Sequence, residues 1–388
     1  MTGTAVAGTT RTSEASSGAA GNREPRIWLL LGDKVGDNRQ VERIADALGL
    51  TTQTRRLRFA ARWREGKPLF VPSLFHVDRA QSDALEAPWP DLILTVGRRP
   101  AMAALWVRRR SGNRTRIVLV GRPKRFFDDF ALVISPAQYR LPDHPRVLTL
   151  GLPLIRLDPE AVAAEAHAWR ERLASLPRPL TVLLVGGRTK PFRMDAQVAR
   201  DMIARTLAEL PAGGGLYVST SRRTPPAVVD ALRAALPAHA RLHGFEANGG
   251  DNPYLALLGL GDRFVVTGDS VSMLTEIARL GKPLAIYPLP EEPGIALRMR
   301  RAIEAVPWLR SLADGLRRAG LASWPRDLTA LHDLLVDAGW ARRLGDAEVG
   351  GEEGATEGGS DRHRLPEDEL QRVADRVRAI AMESIGEP

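Results

Sequence analysis

The stretch LPRPLTVLLVGG, Leu176 to Gly187, decides how the rest of the chain is read. Two prolines interrupt the preceding helical pattern, six apolar or β-branched residues follow, and the run stops at paired glycines. A short apolar run bounded by turn residues is the signature of a strand covered on both faces. The run also restarts a pattern that has already been played once. Upstream lie IWLLLG (27–32), a helical NRQVERIADALGL (38–50) with Val41, Ile44, Ala45 and Leu48 on one face, and TTQTRRLRFA (51–60). PDLILTVG (90–97), a helix at 99–110, TRIVLVG (115–121), FALVISP (130–136) and RVLTLG (146–151) come next, and a charged helix at 158–176 leads into the prolines. Downstream the strands TVLLVGG, GLYVSTS, RLHGF, RFVVTGD and PLAIYPLP alternate with helical stretches.

Such alternation predicts parallel strands with helices on both faces. The expectation is therefore α/β: two tandem Rossmann-like domains, at about 24–155 and 178–345, facing a central cleft. Residues 1–23, rich in Thr, Ala, Gly and Ser, read as a disordered tail without the apolar core of a secretory signal. Residues 344–361 are acidic and glycine-rich and read as a flexible segment. PEDELQRVADRVRAIAMESI (366–385) reads as a final amphipathic helix with an acidic first turn.

Composition bounds the chemistry. The 388 residues contain no cysteine, which removes disulfides, thiolate metal sites and a cysteine nucleophile. The seven histidines show no metal-ligand spacing, so no metal is expected. A formal charge of +9 is compatible with phosphate-bearing partners or an anionic membrane surface, although the preference for arginine and alanine also fits GC-rich bacterial coding. Aromatic residues make up only 5%, without basic–aromatic interleaving, which argues against nucleic acid. No apolar run reaches the ~18 residues a membrane span needs. A cytoplasmic protein is expected, with peripheral contact at the inner membrane face; Trp106 and Arg108 to Arg110 are the candidate lipid contacts, against the simpler reading of a solvated helix end.

Open α/β sheets bind ligands beyond the carboxyl ends of their strands. The first such end is GDKVGDNRQ: Gly32 and Gly36 permit close approach, Lys34 and Arg39 bring charge, Asn38 and Gln40 bring amides, and Asp33 and Asp37 are candidate bases, with Asp37 or Asn38 expected to cap the helix. The second is VGGRTK, where a diphosphate could rest on the amides of Gly186 and Gly187 beside Arg188 and Lys190. The third is STSRRTPP, with Ser219, Ser221, Arg222 and Arg223, and NPY (252–254) opens a nearby helix. The richest is TGDSVSMLTEIARLGKP: Asp269, Ser270 and Ser272 open a helix, and Glu276, four residues past Ser272, shares its face and could take two ribose hydroxyls.

Tandem Rossmann-like domains with a serine–glutamate–GxP element resemble glycosyltransferases of the GT-B fold. More narrowly, GDKVGDNRQ, VGGR, STSRRTP, NPY and GDSVSMLTEIARLGKPL in that order resemble the mitochondrial fission ELM (elongated mitochondria) family over about residues 26–340. Its bacterial members are regarded as candidate glycosyltransferases. The resemblance implies a nucleotide-diphosphate sugar as donor substrate, bound by the second domain, with no cofactor and no catalytic metal. It implies that Glu276 binds the ribose, Ser270 and Ser272 the diphosphate, and Gly186, Gly187 and Arg222 the rest of the donor. The acceptor, a cell-envelope or lipid-linked glycan hydroxyl, would meet the GDKVGDNRQ loop, with Asp37 or Asp33 as base, and the last helix would return to the first domain. A non-enzymatic scaffold and a nucleotide-sugar epimerase are the alternatives.

Overall fold

The computed structural model describes residues 23–64, 68–123, 127–155, 157–246, 251–292, 294–318, 327–346 and 368–386. The expected tail at 1–23 and the acidic segment at 344–361 therefore lie almost wholly outside the described residues.

The first half runs β1 (Ile27–Leu31), α1 (Val35–Leu48), β2 (Thr52–Arg56), the single turn α2 (Ala61–Arg64), β3 (Leu92–Val96), α3 (Arg98–Arg110), β4 (Arg116–Val120), β5 (Leu132–Pro136) and β6 (Val147–Leu150). These strands form one parallel sheet in the order β2-β1-β3-β4-β5-β6. The apolar β1 is explained by what lies on each side of it. Ile27, Leu29 and Leu31 share one cluster with Val41, Ile44 and Leu48 of α1. Trp28 and Leu30 point the other way and pack with Met102 and Leu105 of α3. With both faces covered, every position of the strand is buried and alternation disappears.

The second half begins with α4 (Pro159–Leu173), whose first turn is capped by Asp158. It continues β7 (Leu180–Val185), α5 (Ala196–Ala208), β8 (Gly215–Thr220), α6 (Pro226–Ala235), β9 (Arg241–His243), α7 (Tyr254–Leu260), β10 (Arg263–Thr267), α8 (Val271–Arg279) and β11 (Leu284–Tyr287). Then come α9 (Ile295–Ala305), α10 (Pro307–Arg318), α11 (Thr329–Asp337) and the short β12 (Arg342–Arg343). The second sheet is also parallel, in the order β12-β11-β10-β7-β8-β9.

The last helix, α12 (Asp368–Gly386), crosses back to the first sheet. Its stripe Val373, Ala374, Val377, Ile380 and Ala381 completes the cluster formed by β1 and α1. Arg378 donates to the carbonyl oxygens of Ala47 and Leu48 at the end of α1. Two Rossmann-like sheets with a returning C-terminal helix are the architecture expected from the sequence.

Some local expectations are corrected. Helix α1 starts at Val35 rather than at Asn38, with Lys34 in the capping position and no side-chain cap. Asn38 reaches back instead: its Nδ2 donates to the Gly32 carbonyl at 2.8 Å and its Oδ1 accepts from the Gly32 amide at 3.2 Å. Neither Asp37 nor Asn38 is thus the cap; Asn38 closes the strand end against the helix. The strand expected over 51–60 is confined to 52–56. At the end of α3, Trp106 is edge-on to Trp89 at 6.1 Å and Arg108 donates to the carbonyls of Asn113 and Thr115, while Arg109 and Arg110 are exposed.

Candidate functional site

A ligand crevice in an open α/β sheet opens where the strand order reverses. In the first sheet that point lies between β1 and β3, and in the second between β7 and β10. The segments leaving these four strands are Gly32–Lys34, Gly97–Arg99, Gly186–Arg188 and Gly268–Ser270, so the sequence-marked glycine turns fall at both switch points.

The second crevice is organised by Asp269, 2% exposed. Its Oδ1 accepts from Thr267 Oγ1 at 2.8 Å, and its Oδ2 from the Gly187 amide at 2.9 Å and from Arg223 Nη2 at 3.4 Å. The Gly186 amide donates to Thr267 Oγ1 at 2.8 Å. Burial raises the Asp269 carboxyl pKa above the ordinary range, while these donors pull it back down. The diphosphate role expected of the two glycine amides is thus corrected: both are already bonded within the protein. The glycines are needed for another reason. A Cβ at Gly186 would lie 2.3 Å from Asp269 Oδ1, and one at Gly187 would lie 2.2 Å from the Arg223 carbonyl oxygen.

The donors left available belong to α8. Its capping residue, Ser270, is buried and makes no side-chain cap, and Ser272 is exposed in the first turn. The helix starts directly at the switch point, so its N-terminal amides and the positive end of its dipole face the crevice. Beneath the turn, Gly268 lies on His332: the Gly268 carbonyl is 2.6 Å from His332 Nε2, and a Cβ would meet the ring at 2.6 Å. Burial lowers the His332 pKa, so Nε2 carries the hydrogen of a neutral ring.

One turn into α8, Glu276 accepts a hydrogen bond from the Tyr254 hydroxyl through Oε2. Burial raises the Glu276 pKa, opposed by Tyr254 and by the charge of Arg39. Arg39 comes from α1, across the cleft. The approach follows from helix periodicity. Arg43, one turn after Arg39, donates to the Ile155 carbonyl, and Arg279, three residues after Glu276, donates to the Pro153 carbonyl. Both helices are thereby fastened to the same inter-sheet link, and the preceding turns face each other.

On the first crevice, Asp37 lies in the first turn of α1. Burial raises its pKa, Lys34 lowers it and Asp33 adds a further increase. Asp33 stands 3.8 Å from Arg99 Nη1, and Arg99 lies over the Phe59 ring. Gly32 has Phe59 and Pro100 against it, whereas a Cβ at Gly36 would meet nothing within 4 Å. Gln40 is half-buried one turn beyond Gly36.

The remaining expected residues are dispersed. Ser219 is buried inside β8, Ser221 is held by Thr224 and the Arg223 amide, and Arg188 and Arg222 are exposed. Arg223, rather than its neighbour Arg222, carries the cation that reaches Asp269. Thr267 and His332 were given no role by sequence reasoning, Arg223 was expected to meet a phosphate rather than Asp269, and Tyr254 was marked without a partner. Tyr254 meets Glu276 22 residues away, Arg223 meets Asp269 46 away, His332 meets Gly268 64 away and Thr267 meets Gly186 81 away, so spacing carries no sign of these pairings. Among the described residues no cluster of His, Asp and Glu could hold a metal, and no helix is long and apolar enough to cross a membrane.

Comparison with known proteins bears out the family resemblance. The chain is 26% identical to the mitochondrial fission protein ELM1 of Arabidopsis thaliana over 288 residues, 66% of this chain and 67% of the relative. It is 24% identical to the uncharacterized protein RP120 of Rickettsia prowazekii (strain Madrid E) over 296 residues, 67% of this chain and 82% of the relative. Among solved structures it is similar to the UDP-GlcNAc 2-epimerase of Neisseria meningitidis bound to UDP-GlcNAc, at 11% identity and a TM-score of 0.41, over 80% of this chain and 98% of that one. The family model described as Mitochondrial fission ELM1 matches residues 35–381, nearly the whole chain, and the protein belongs to that family.

Proposed function

We propose that the protein is a glycosyltransferase that moves a sugar from a nucleotide-diphosphate sugar to an acceptor hydroxyl. The observation that carries this reading is the half-buried Glu276, held by Tyr254 one turn inside a helix whose N-terminus opens on the switch point. The diphosphate lies at the start of α8, against its free amides and the Ser270 and Ser272 hydroxyls, with Arg188 and Lys190 on the rim. The ribose hydroxyls reach Glu276, whose Oε1 is not taken by Tyr254. Charge developing on the leaving diphosphate is met by the helix dipole and by these cations. Arg39, from the other half, adds a positive charge near Glu276 at the donor site.

In the same reading Asp37 deprotonates the acceptor. Its raised pKa makes it a better base near neutral pH than an ordinary aspartate, and the open space at Gly36 admits the acceptor beside it. The acceptor class is a cell-envelope or lipid-linked glycan, reached from the cytoplasmic side.

A thermal-shift panel of nucleoside diphosphates and nucleotide sugars on wild type and Glu276→Ala tests the donor site. One diphosphonucleoside should raise the melting temperature by roughly 5 °C at a hundredfold excess over its Kd, and Glu276→Ala should abolish the rise. No shift with any of them on folded protein refutes the reading in favour of a scaffold. Conversion of the sugar donor without an acceptor would refute transfer in favour of epimerisation.

A further inference from the structure

Helices α9 and α10 form a hairpin whose apolar residues face outward. Ile295 is 72% exposed, Met299 61%, Trp308 67% and Leu312 55%, and Ile303 and Leu316 are exposed as well. On each helix the three residues are spaced by four: Ile295, Met299 and Ile303 on α9, and Trp308, Leu312 and Leu316 on α10. That spacing puts them on one stripe per helix. The stripes are not unsatisfied halves of a packed seam, because polar groups join the two helices: Arg317 pairs with Glu304 across the hairpin and with Asp314 on its own helix.

The charge around the stripes is one-sided. Between Gly294 and Arg318 the sequence has six arginines against two carboxylates; of these arginines Arg317 pairs with Glu304 and Asp314, and Arg301 with Glu291 just before the hairpin. Arg298 and Arg310 are exposed and have no carboxylate partner among the described residues. A hairpin with exposed Trp, Leu and Ile stripes, Arg298 flanking the stripe of α9 and a net positive charge matches a bilayer interface, where apolar side chains enter the acyl boundary and arginines meet lipid phosphates. A protein partner would need a cationic rim matched by carboxylates, and a second copy of this basic hairpin would bring like charges together.

We propose that the α9–α10 hairpin docks the protein on an anionic phospholipid bilayer. The docking surface is distinct from the end of α3. It also adjoins the second half's crevice. A cavity of about 1410 Å³ is lined by Leu297, Arg301 and Glu304 of α9 together with Arg188, Lys190 and Arg193 from the β7–α5 segment. Docking therefore brings the bilayer to the rim of that cavity.

The test is flotation of the full chain with vesicles of phosphatidylcholine alone and of phosphatidylcholine mixed with phosphatidylglycerol. Wild type should float with the anionic vesicles only, and less as salt rises. The double variant Trp308→Ser/Leu312→Ser should lower the partition at least about tenfold, because two large apolar side chains no longer enter the interface. Arg298→Glu/Arg310→Glu should remove the preference for phosphatidylglycerol. All four side chains are exposed, so circular dichroism and thermal unfolding should match wild type. Binding that both double variants leave unchanged overturns the assignment to this hairpin. No flotation of wild type, with a dimer in sedimentation velocity that Trp308→Ser/Leu312→Ser dissolves, overturns the bilayer in favour of a second copy. No flotation from a monomer overturns it as well. Nucleotide binding is read separately, so the failure of one proposal does not obscure the other.

Discussion

Replacing Gly186 by alanine should destabilise the ligand-free protein, and the size of the effect follows from the contacts around it. The new Cβ would stand 2.3 Å from Asp269 Oδ1, whereas Cβ atoms do not approach closer than 3.0 Å. The carboxylate must therefore retreat by at least ~0.7 Å, which takes its 2.8 Å bond to Thr267 and its 2.9 Å bond to the Gly187 amide to the edge of hydrogen-bonding range. Two bonds to a buried charged acceptor, at about 1.5 kcal/mol each, make a loss of about 3 kcal/mol. The Arg223 contact adds little, because its guanidinium is half exposed and screened. Gly187→Ala should lose at least as much, since its Cβ would meet the Arg223 backbone 2.2 Å away, which no rotamer change relieves. Gly36→Ala is the control: nothing lies within 4 Å, and alanine in a helical position should change stability by between zero and about 1 kcal/mol in the favourable direction. Urea denaturation of ligand-free protein, followed by circular dichroism, measures all three. The reasoning is refuted if Gly186→Ala and Gly187→Ala unfold within about 0.5 kcal/mol of wild type and lose only nucleotide affinity.

Three further outcomes are expected. Glu276 has its pKa raised in the fold by burial, so its contribution is most favourable below the unfolded value of 4.5 and is lost as pH rises through the raised value. Glu276→Gln should accordingly gain stability relative to wild type as pH rises through that window, read as the difference between two denaturation series. His332 is held neutral by burial, so its contribution is present above 6.5 and is lost as pH falls through the lowered value; His332→Gln should flatten the acid limb of the stability profile. Val377→Ala in α12 should destabilise by about 1–2 kcal/mol, measured by the same denaturation, because the side chain is fully buried between α12 and the first sheet.

The architecture was legible because it is written locally. Continuous apolar runs such as 27–31 and 180–185 can only be strands covered twice, and glycine turns at their ends mark where crevices open. The return of the last helix could be expected from resemblance and from its apolar stripe, although its docking partner α1 is more than 300 residues away. Chemistry at the strand ends was less legible. Adjacent Arg222 and Arg223 look equivalent in sequence, and only the packed turn sends Arg223 to Asp269. Gly186 and Gly187 read as a phosphate cradle because glycine at a strand end permits it, yet here the close neighbours are Asp269 and the Arg223 backbone. The pairing of Tyr254 with Glu276 joins α7 to α8 across two strand ends, and nothing in either local pattern signals the other. The exposed hairpin was missed because its stripes have the spacing of ordinary core helices; only solvent exposure separates the two.

The most direct measurement is isothermal titration of nucleoside diphosphates into wild type and Glu276→Ala. The account predicts one-to-one binding of at least one diphosphonucleoside to wild type and an affinity at least about tenfold weaker in the variant, the loss of roughly one strong hydrogen bond to the ribose. Equal affinity in the two proteins, or no binding to folded wild type, would contradict the placement of a sugar-nucleotide donor at the start of α8.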